Sequence, residues 1–186
     1  MSRLVLASRS PQRRAILEQL GIEFSVEVPE IDEVEDGPPH EVALENAYRK
    51  AAAVAGEGSG GLVLGVDTVV SLGARMYGKP IDEAQARETL RALSGRRHTV
   101  ISGMCVIGDD GRSRTAAEST AVQFRPVDDA LLDWYLSSGE WRERAGGYAI
   151  QGRGAALVAR IEGDFFNVVG LPVPALLALA PWLLRG

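Results

Sequence analysis

The sequence predicts an α/β protein in which a mixed β-sheet is flanked by helices. Short apolar runs of strand type alternate with segments of helical periodicity, and β-rich segments on both sides of Asp109-Asp110-Gly111 predict a central hairpin. Of the 186 residues, 46% are hydrophobic and 24% are charged, which is enough apolar material for a buried core. No linker is long or polar enough to separate independent domains, so we expect one domain over residues 1–186.

The first half of the chain predicts strands, helices and an acidic loop. A serine before Pro11 is typical of a helix N-cap, and Gly21 lies where that helix stops. The other predicted elements are strands at 3–7 and 22–28, a loop at 29–40, a helix at 41–55 with a buried stripe of Val42, Ala47, Tyr48, Ala51 and Val54, a turn at 56–61, and one long buried strand or a strand pair at 62–72.

The second half continues the alternation of helices and strands. Asp82 and Gln85 have capping-box spacing, and Gly95 ends the helix that they begin. The remaining predicted elements are strands at 99–107 and 115–124, a helix at 128–137, segments 155–161 and 166–169 on either side of a turn at Gly163-Asp164, and a closing helix at 174–184.

Composition excludes several classes of protein. The net charge of −5 argues against coating of a nucleic-acid polymer, which needs a basic face, but it allows small phosphorylated ligands. A single cysteine, Cys105, excludes an internal disulfide and a thiolate zinc site. The N-terminus lacks a signal peptide pattern, and the apolar run 173–184 is too short to span a bilayer. We therefore expect a cytoplasmic protein without a membrane partner.

The residues from Ser8 to Arg14 lie at the junction of the first strand and the first helix. A helix N-terminus presents unpaired N–H groups and a partial positive charge, and here it has serine hydroxyls and Arg13 and Arg14 beside it. This combination is typical of a phosphate-binding site. A capped helix with surface arginines explains the same pattern, and the spacing leaves both interpretations open.

Asp67 lies inside the apolar segment 62–72, where an unpaired carboxylate is costly to bury. It either lies at a strand end that faces a ligand or requires a cation or a hydrogen-bond donor. A turn between two short strands is the structural alternative. The next residue, Thr68, is not a turn former, so we favour a functional role.

The two lysines and a glycine-rich segment are further candidates. Only Lys50 and Lys79 are lysine among 20 Lys and Arg residues, and Lys79 lies in a rigid Gly-Lys-Pro turn that would hold a phosphate-binding cation. A solvated surface lysine is the alternative for each. The segment 146–154 allows close approach of a ligand to the backbone, and its Gln151 could read a base edge, although a plain loop has the same composition.

Several short segments recur, in the same order, in a known family. They include Leu6-Ala7-Ser8, Ser10-Pro11 with Arg13, Ile31-Asp32-Glu33, Lys50-Ala51, Val66-Asp67-Thr68, Gly78-Lys79-Pro80, His98-Thr99-Val100 and Tyr148-Ala149-Ile150-Gln151-Gly152. Their order and spacing cover nearly the whole chain. In these segments the chain resembles the Maf family of nucleoside triphosphate pyrophosphatases.

The resemblance implies a fold and a reaction. The implied fold is an elongated mixed sheet with two lobes around a cleft, like that of inosine triphosphate pyrophosphatase, in a homodimer. The implied reaction is hydrolysis of a nucleoside triphosphate between its α and β phosphates with Mg²⁺ or Mn²⁺, which releases monophosphate and pyrophosphate. The implied substrates are dTTP, UTP or modified pyrimidine nucleotides. The alternative is a non-catalytic nucleotide-binding regulator of cell division or septum formation.

Functional roles transfer one residue at a time. Asp67 matches the catalytic carboxylate, as a base that activates water, as a metal ligand, or as both. Glu33 matches an acidic residue near the metal and the phosphates, which implies that it is the other metal ligand. The substrate-binding positions are Ser8, Arg13, Arg14, Glu33, Lys50 and Lys79, and the positions linked to base choice are Gln12, Thr68 and Gln151.

Two positions depart from the dTTP/UTP type, which the segments around Asp67 and Gln151 otherwise match. Position 12 is usually arginine in that type and often tryptophan in the 7-methyl-GTP type, whereas this chain has Gln12. Glu143-Arg144 stands where Asp-Lys is common. The charge signs are kept there, but the reach of both side chains changes.

Overall fold

Helices and strands of the computed structural model alternate along the described residues, 3–55 and 61–184. The strands are β1 Arg3–Ala7, β2 Phe24–Glu27, β3 Gly61–Leu72, β4 Arg75–Tyr77, β5 Arg97–Ile107, β6 Ser113–Phe124 and β7 Val158–Glu162. The α-helices are α1 Pro11–Gln19, α2 Pro39–Val54, α3 Glu83–Leu93, α4 Asp129–Leu136, α5 Phe165–Val169 and α6 Val173–Leu179, and 3-10 turns cover Ala145–Gly147, Arg153–Leu157 and Pro181–Leu184. Residues 56–60 of the predicted glycine-rich turn lie outside the described residues.

The strands form a seven-stranded sheet in the order β2-β1-β3-β5-β6-β7, with β4 paired to β3. Strand β1 is parallel to β2 and to β3, whereas β4 is antiparallel to β3 and β7 is antiparallel to β6. Parallel neighbours require a crossover, which α1 supplies between β1 and β2 and α2 supplies on the way to β3. The predicted mixed sheet with flanking helices is confirmed, and β3 is a single strand of 12 residues.

Polar residues cap the helices where the sequence predicts them. The Ser10 hydroxyl accepts a hydrogen bond from the Arg13 amide at 3.4 Å, and the Asp82 carboxylate accepts one from the Gln85 amide at 2.8 Å. In the predicted turn between β5 and β6, Gly111 has a φ of 72°, a conformation that glycine adopts without strain.

Helix α2 differs from the prediction in its start and in its buried face. It begins at Pro39 rather than at residue 41, because proline fits a first turn in which its missing N–H is not needed. Tyr48, predicted in the buried stripe, is 44% exposed, whereas Asn46 and Lys50 are buried. At 3.6 residues per turn, positions 46, 47, 50 and 51 share one face, and position 48 points away from it.

The C-terminal part also departs from the prediction. Residues 166–169 belong to the short helix α5 that follows the turn at Gly163-Asp164. The predicted closing helix is interrupted at Ala180, because Pro181 has no N–H to continue the helical hydrogen bonds. Within the described parts of the chain, no helix has both the length and the apolar character needed to cross a bilayer.

Two compact units divide the chain. Among the described residues, the first unit draws on Met1–Thr68, Ser102–Glu118 and Gly170–Gly186, and the second draws on Val69–Ile101 and Ser119–Val169. A core cluster of the first unit consists of small and aliphatic residues, namely Val5, Ala7, Ala47, Ala51, Val63, Cys105 and Ile107. The core of the second unit is rich in aromatic side chains, among them Phe124, Tyr135, Trp141 and Tyr148. One domain over residues 1–186, with two lobes around a cleft, stays a prediction.

Helix α2 lies very close to the sheet in the first unit. A Cβ atom added to Gly65 on β3 would overlap the carbonyl oxygen of Ala47 and lie 2.7 Å from the amide nitrogen of Ala51. A Cβ atom added to Gly103 on β5 would likewise overlap the carbonyl oxygen of Ala43. The helix backbone therefore rests on two strand positions that have room only for hydrogen atoms.

We expect Gly65→Ala to destabilise the protein by about 3 kcal/mol, because the added methyl group must push α2 away from β3. Gly78→Ala is the matched control, since nothing lies within 4 Å of the Cβ that it adds. Its effect should stay within about 0.5 kcal/mol. Urea denaturation of both variants at pH 7 measures the free energies of unfolding, and equal values would contradict the close approach of α2.

Candidate functional site

The parallel pairing of β1 with β3 ends beside a group of polar residues. The last paired residues are Ala7 and Gly65; Ser8 follows β1, and Asp67 lies two positions beyond Gly65. Alternate residues of a strand share a face, so Asp67 lies on the face that α2 covers at Gly65. Ligands of α/β proteins bind at the carboxyl ends of parallel strands, which makes this edge the candidate site.

The Lys50 ammonium is shared by two carboxylates. Its Nζ lies 2.6 Å from Oδ1 of Asp67 and 2.7 Å from Oε1 of Glu33. The side chains of Lys50 and Asp67 are only 11% and 10% exposed, whereas that of Glu33 is 47% exposed. Asp67 thus has the cation that a buried carboxylate requires, and the predicted alternative of a turn is excluded.

Arg13 is buried and binds three parts of the first unit. Its Nη1 donates to the Ser8 hydroxyl at 3.0 Å, its Nη2 donates to the Thr68 hydroxyl at 3.0 Å, and its Nε donates to the Gly170 carbonyl at 2.9 Å. Burial lowers the pKa of Arg13, and the negative charges of Asp67 and Glu33 oppose this shift. The residue is a fixed cation next to the carboxylates rather than a surface arginine.

The Ser8 hydroxyl has the hydrogen-bonding character of a donor. Its oxygen accepts from Arg13 Nη1 at 3.0 Å and from the Ser10 amide at 3.1 Å, which uses both lone pairs. The O–H of Ser8 can then only donate, and a phosphate oxygen is a suitable acceptor for it. Ser8 itself is 4% exposed.

Gln12 and Arg14 flank Arg13 on the first turn of α1. The side-chain oxygen of Gln12 accepts from the Ser10 hydroxyl at 3.0 Å, so this glutamine is tied to the helix cap. Arg14 is half-buried, and its Nε is buried without a hydrogen-bond partner among residues 3–55 and 61–184. A buried N–H of this kind is costly, so Arg14 keeps a donor that a ligand could satisfy.

Lys79 and Gln151 belong to the second unit. Lys79 is exposed, and its Nζ lies 3.7 Å from Oε2 of Glu143. Glu143 itself has a φ of 58°, a left-handed conformation that is uncommon for glutamate. The side chain of Gln151 is exposed. The structure therefore brings Ser8, Arg13, Glu33, Lys50, Asp67 and Thr68 together in the first unit and holds Lys79 and Gln151 in the second.

Buried hydroxyl groups order the segment that leads to Gln151. Nε2 of His98 lies 2.9 Å from the Tyr148 hydroxyl, and the Ala149 amide donates to the Tyr135 hydroxyl at 3.1 Å. Burial lowers the pKa of His98 to about 4, and burial also raises the pKa of Tyr148. Both side chains are therefore neutral at pH 7, and the segment is held by uncharged groups.

Glu33 and Asp67 are two carboxylates of the site that could hold a divalent cation. Among residues 3–55 and 61–184, no three or more His, Cys, Asp or Glu side chains form a metal-binding group. Mg²⁺ is commonly held by one or two carboxylates together with substrate phosphates, so two carboxylates that already converge on one cation fit it. Mn²⁺ suits the same oxygen donors.

Sequence reasoning missed Asn46 and Ser102. Asn46 is 2% exposed and its Nδ2 donates to Oδ2 of Asp67 at 3.3 Å, while the Ser102 hydroxyl lies 2.9 Å from that of Thr68. A signal for Asn46 was available, because it is a poor helix former placed four residues before Lys50 on one helix face. Ser102, inside an apolar strand, has no such signal.

We expect the free energy of unfolding to decrease as the pH is lowered, because of His98. In the unfolded chain His98 takes up a proton below pH 6.5, but in the folded protein it does so only near pH 4, so stability is lost as the pH falls through this window. The full loss is about 3 kcal/mol. Urea denaturation measures the free energy of unfolding at pH 7 and at pH 4.5. The decrease between these two pH values should be larger in the wild type than in His98→Gln by about 2 to 3 kcal/mol.

The exposed His40→Gln variant is the control for this comparison and should behave as the wild type. Equal falls in the wild type and His98→Gln would show that His98 is not held neutral.

The chain is similar to known proteins over nearly its full length. Residues 3–181 match the profile of the Maf family, described as Maf-like protein. A dTTP/UTP pyrophosphatase of Symbiobacterium thermophilum is 46% identical over 93% of this chain and 90% of its own length, and one of Pyrococcus furiosus is 41% identical over 96% and 94%. A solved HAM1 protein from Coxiella burnetii superposes with a TM-score of 0.48 at 18% identity, covering 84% of this chain and 91% of that one. The profile and these identities over nearly the full chain establish that the protein belongs to the Maf family.

Proposed function

We propose that this chain is a nucleoside triphosphate pyrophosphatase that acts on dTTP, UTP or related pyrimidine nucleotides and releases a monophosphate and pyrophosphate. The observation that carries the proposal is the buried Lys50 ammonium between Asp67 and Glu33, beside the hydroxyls that Arg13 binds. The names of the relatives, dTTP/UTP pyrophosphatases at 41 to 46% identity, support the same reaction. A homodimer in the cytoplasm is part of this proposal.

In this proposal the first unit binds the phosphates through charge and through a directed donor. A triphosphate brings several negative charges, and preorganised cations supply most of the stabilisation that its hydrolysis requires. Arg13 and Lys50 are already fixed, and Ser8 presents an O–H. The Nε–H of Arg14 has no hydrogen-bond partner in the part of the chain that the structure describes. Lys79 is the further cation that we assign to the phosphates.

Asp67 is the residue that we assign to the attacking water. Its carboxylate can accept the proton of that water as a general base, or it can act as a metal ligand with Glu33. When bound, Mg²⁺ or Mn²⁺ would neutralise phosphate charge and polarise the phosphorus centre. Lys50 offsets the charge of the Asp67 carboxylate and holds it in place in either role, because its Nζ lies 2.6 Å from Oδ1 of Asp67.

We expect purified protein with Mg²⁺ to release pyrophosphate from dTTP or UTP, and Asp67→Asn to lower kcat by about 100-fold or more, because the amide cannot accept the proton. The assay compares dTTP, UTP, CTP, 7-methyl-GTP and the common purine nucleotides. Asp36→Asn, which changes an exposed carboxylate in the acidic loop, is the control and should keep full activity.

The products separate the competing functions. Orthophosphate without pyrophosphate would indicate a phosphatase that removes terminal phosphates. Binding of nucleotides without any release would overturn the proposal and favour a regulatory protein.

Base choice is assigned to Gln12, Thr68 and Gln151. Gln151 has an exposed amide on an ordered segment, and an amide can donate to and accept from a base edge. We expect Gln151→Ala to lower the ratio of kcat/KM for UTP over CTP by about tenfold, the usual value of one such hydrogen bond. Gln19→Ala removes another exposed glutamine and should leave the ratio unchanged. An unchanged ratio in Gln151→Ala would remove this residue from base choice.

A further inference from the structure

Asn46 is a buried polar residue that the assigned roles leave unexplained. It lies on α2, is 2% exposed, and makes three side-chain hydrogen bonds. Its Oδ1 accepts from the Val34 amide at 2.7 Å, and its Nδ2 donates to the Val34 carbonyl at 3.0 Å and to Oδ2 of Asp67 at 3.3 Å. Both amide hydrogens are thus used inside the protein, so Asn46 has no donor left for a ligand.

The orientation of the Asn46 carboxamide follows from its partners. Two of them, the Val34 carbonyl and the Asp67 carboxylate, can only accept, and the third, the Val34 amide, can only donate. A flipped carboxamide would place its oxygen against both acceptors and its NH₂ against the donor. One orientation therefore satisfies every group, and the side chain is locked in it.

Asn46 and Lys50 divide the two oxygens of Asp67 between them. Lys50, one helical turn after Asn46, takes Oδ1 at 2.6 Å, and Asn46 takes Oδ2 at 3.3 Å. Two donors from one helix, one on each oxygen, fix the plane of the carboxylate as well as its position. A single ion pair with Lys50 would leave the carboxylate free to rotate.

The same carboxamide fixes the loop that supplies the second carboxylate. The bonds to both backbone groups of Val34 imitate a pair of strand hydrogen bonds, and Val34 directly follows Glu33. Glu33 is half exposed, so little packing holds its side chain, and the Val34 anchor keeps it within 2.7 Å of Lys50. One residue of α2 thereby sets both carboxylates that surround the ammonium.

We propose that Asn46 is a positioning residue of the hydrolytic reaction, which orients the Asp67 carboxylate and aligns Glu33 with it through the Val34 backbone. The inference rests on the proposed pyrophosphatase function. An error of about 1 Å in the position of a reacting group can cost about 100-fold in rate, so the effect of losing Asn46 falls on kcat. Among the described residues, the side-chain hydrogen bonds of Asn46 go to Val34 and Asp67 and not to the groups assigned to phosphate binding, so KM is largely kept.

Two variants change the hydrogen bonds of Asn46 to different extents. Asn46→Ala removes both the Val34 anchor and the Asp67 donor. Asn46→Asp keeps an acceptor for the Val34 amide but places a carboxylate oxygen against both the Val34 carbonyl and Asp67. Asn167→Ala is the matched control, because Asn167 is 0% exposed and donates from Nδ2 to the Val100 carbonyl and the Thr120 hydroxyl, in the second unit.

The experiment measures kcat and KM for pyrophosphate release, together with hydrogen exchange of the amides in segment 31–37. We expect both Asn46 variants to lower kcat by about 10- to 100-fold with KM changed less than about threefold. Exchange at segment 31–37 should become faster in Asn46→Ala and stay closer to the wild type in Asn46→Asp. Asn167→Ala should lower the melting temperature, but it should not lower kcat selectively while KM is kept.

The outcomes distinguish the positioning role of Asn46 from a structural role and from failure of the proposed function. An active wild type whose kcat survives both Asn46 substitutions would overturn the positioning role and leave the pyrophosphatase function intact. A loss of activity in Asn46→Ala that only follows the melting temperature, with Asn46→Asp fully active, would reduce Asn46 to a structural residue. A wild type that releases no pyrophosphate would overturn the proposed function, and the positioning role with it.

Discussion

The close contact between α2 and the sheet is the constraint on which the site depends. Gly65 and Gly103 leave no room for a Cβ beneath the helix backbone. The helix therefore lies so close to the strands that its side chains can reach the residues of β3. Lys50 meets Asp67 at 2.6 Å and Asn46 meets it at 3.3 Å because both side chains project from a helix that almost touches the strand. A larger residue at position 65 would lift the helix by about the thickness of a methyl group and would stretch both contacts together. Packing and chemistry are therefore set by the same two glycines.

The charges of the site stabilise one another and cannot be removed singly without cost. Lys50 and Arg13 supply two positive charges, and Asp67 and Glu33 supply two negative charges, in a largely buried cluster. Burial lowers the pKa of Arg13, and the neighbouring carboxylates oppose that shift. Removing one member of a buried pair leaves an uncompensated charge and costs about 3 to 5 kcal/mol. The two positive and two negative charges of this cluster therefore balance one another.

Local chemistry made some of this predictable from the sequence, and the rest depends on tertiary contacts. The caps at Ser10 and Asp82 follow from short-range hydrogen bonding, so the sequence predicts them correctly. Asp67 and Lys50 were detectable as exceptions, a carboxylate in an apolar run and a rare lysine. The buried face of α2 was misassigned at Tyr48, because an apolar residue was expected inside and the buried positions are instead occupied by Asn46 and Lys50. Hydrophobic periodicity cannot identify a buried helix face whose residues are polar because they bind polar groups elsewhere in the chain. The partners of Asn46, which are Val34 and Asp67, lie 12 and 21 residues away in the sequence.

The two units hold their candidate site residues by different physical means. In the first unit the polar groups are charged and hold each other through short ionic hydrogen bonds. In the second unit His98 and Tyr148 are neutral, contact each other through a hydroxyl, and both pack edge to face on Phe124. Neutral hydrogen bonds inside an aromatic core are little affected by salt or by a polyanion nearby, whereas an ionic cluster responds to both. Under the proposed function, residues 148–151 read the base and must keep their shape while phosphates bind and leave. The aromatic anchoring of His98 and Tyr148 on Phe124 suits that proposed role.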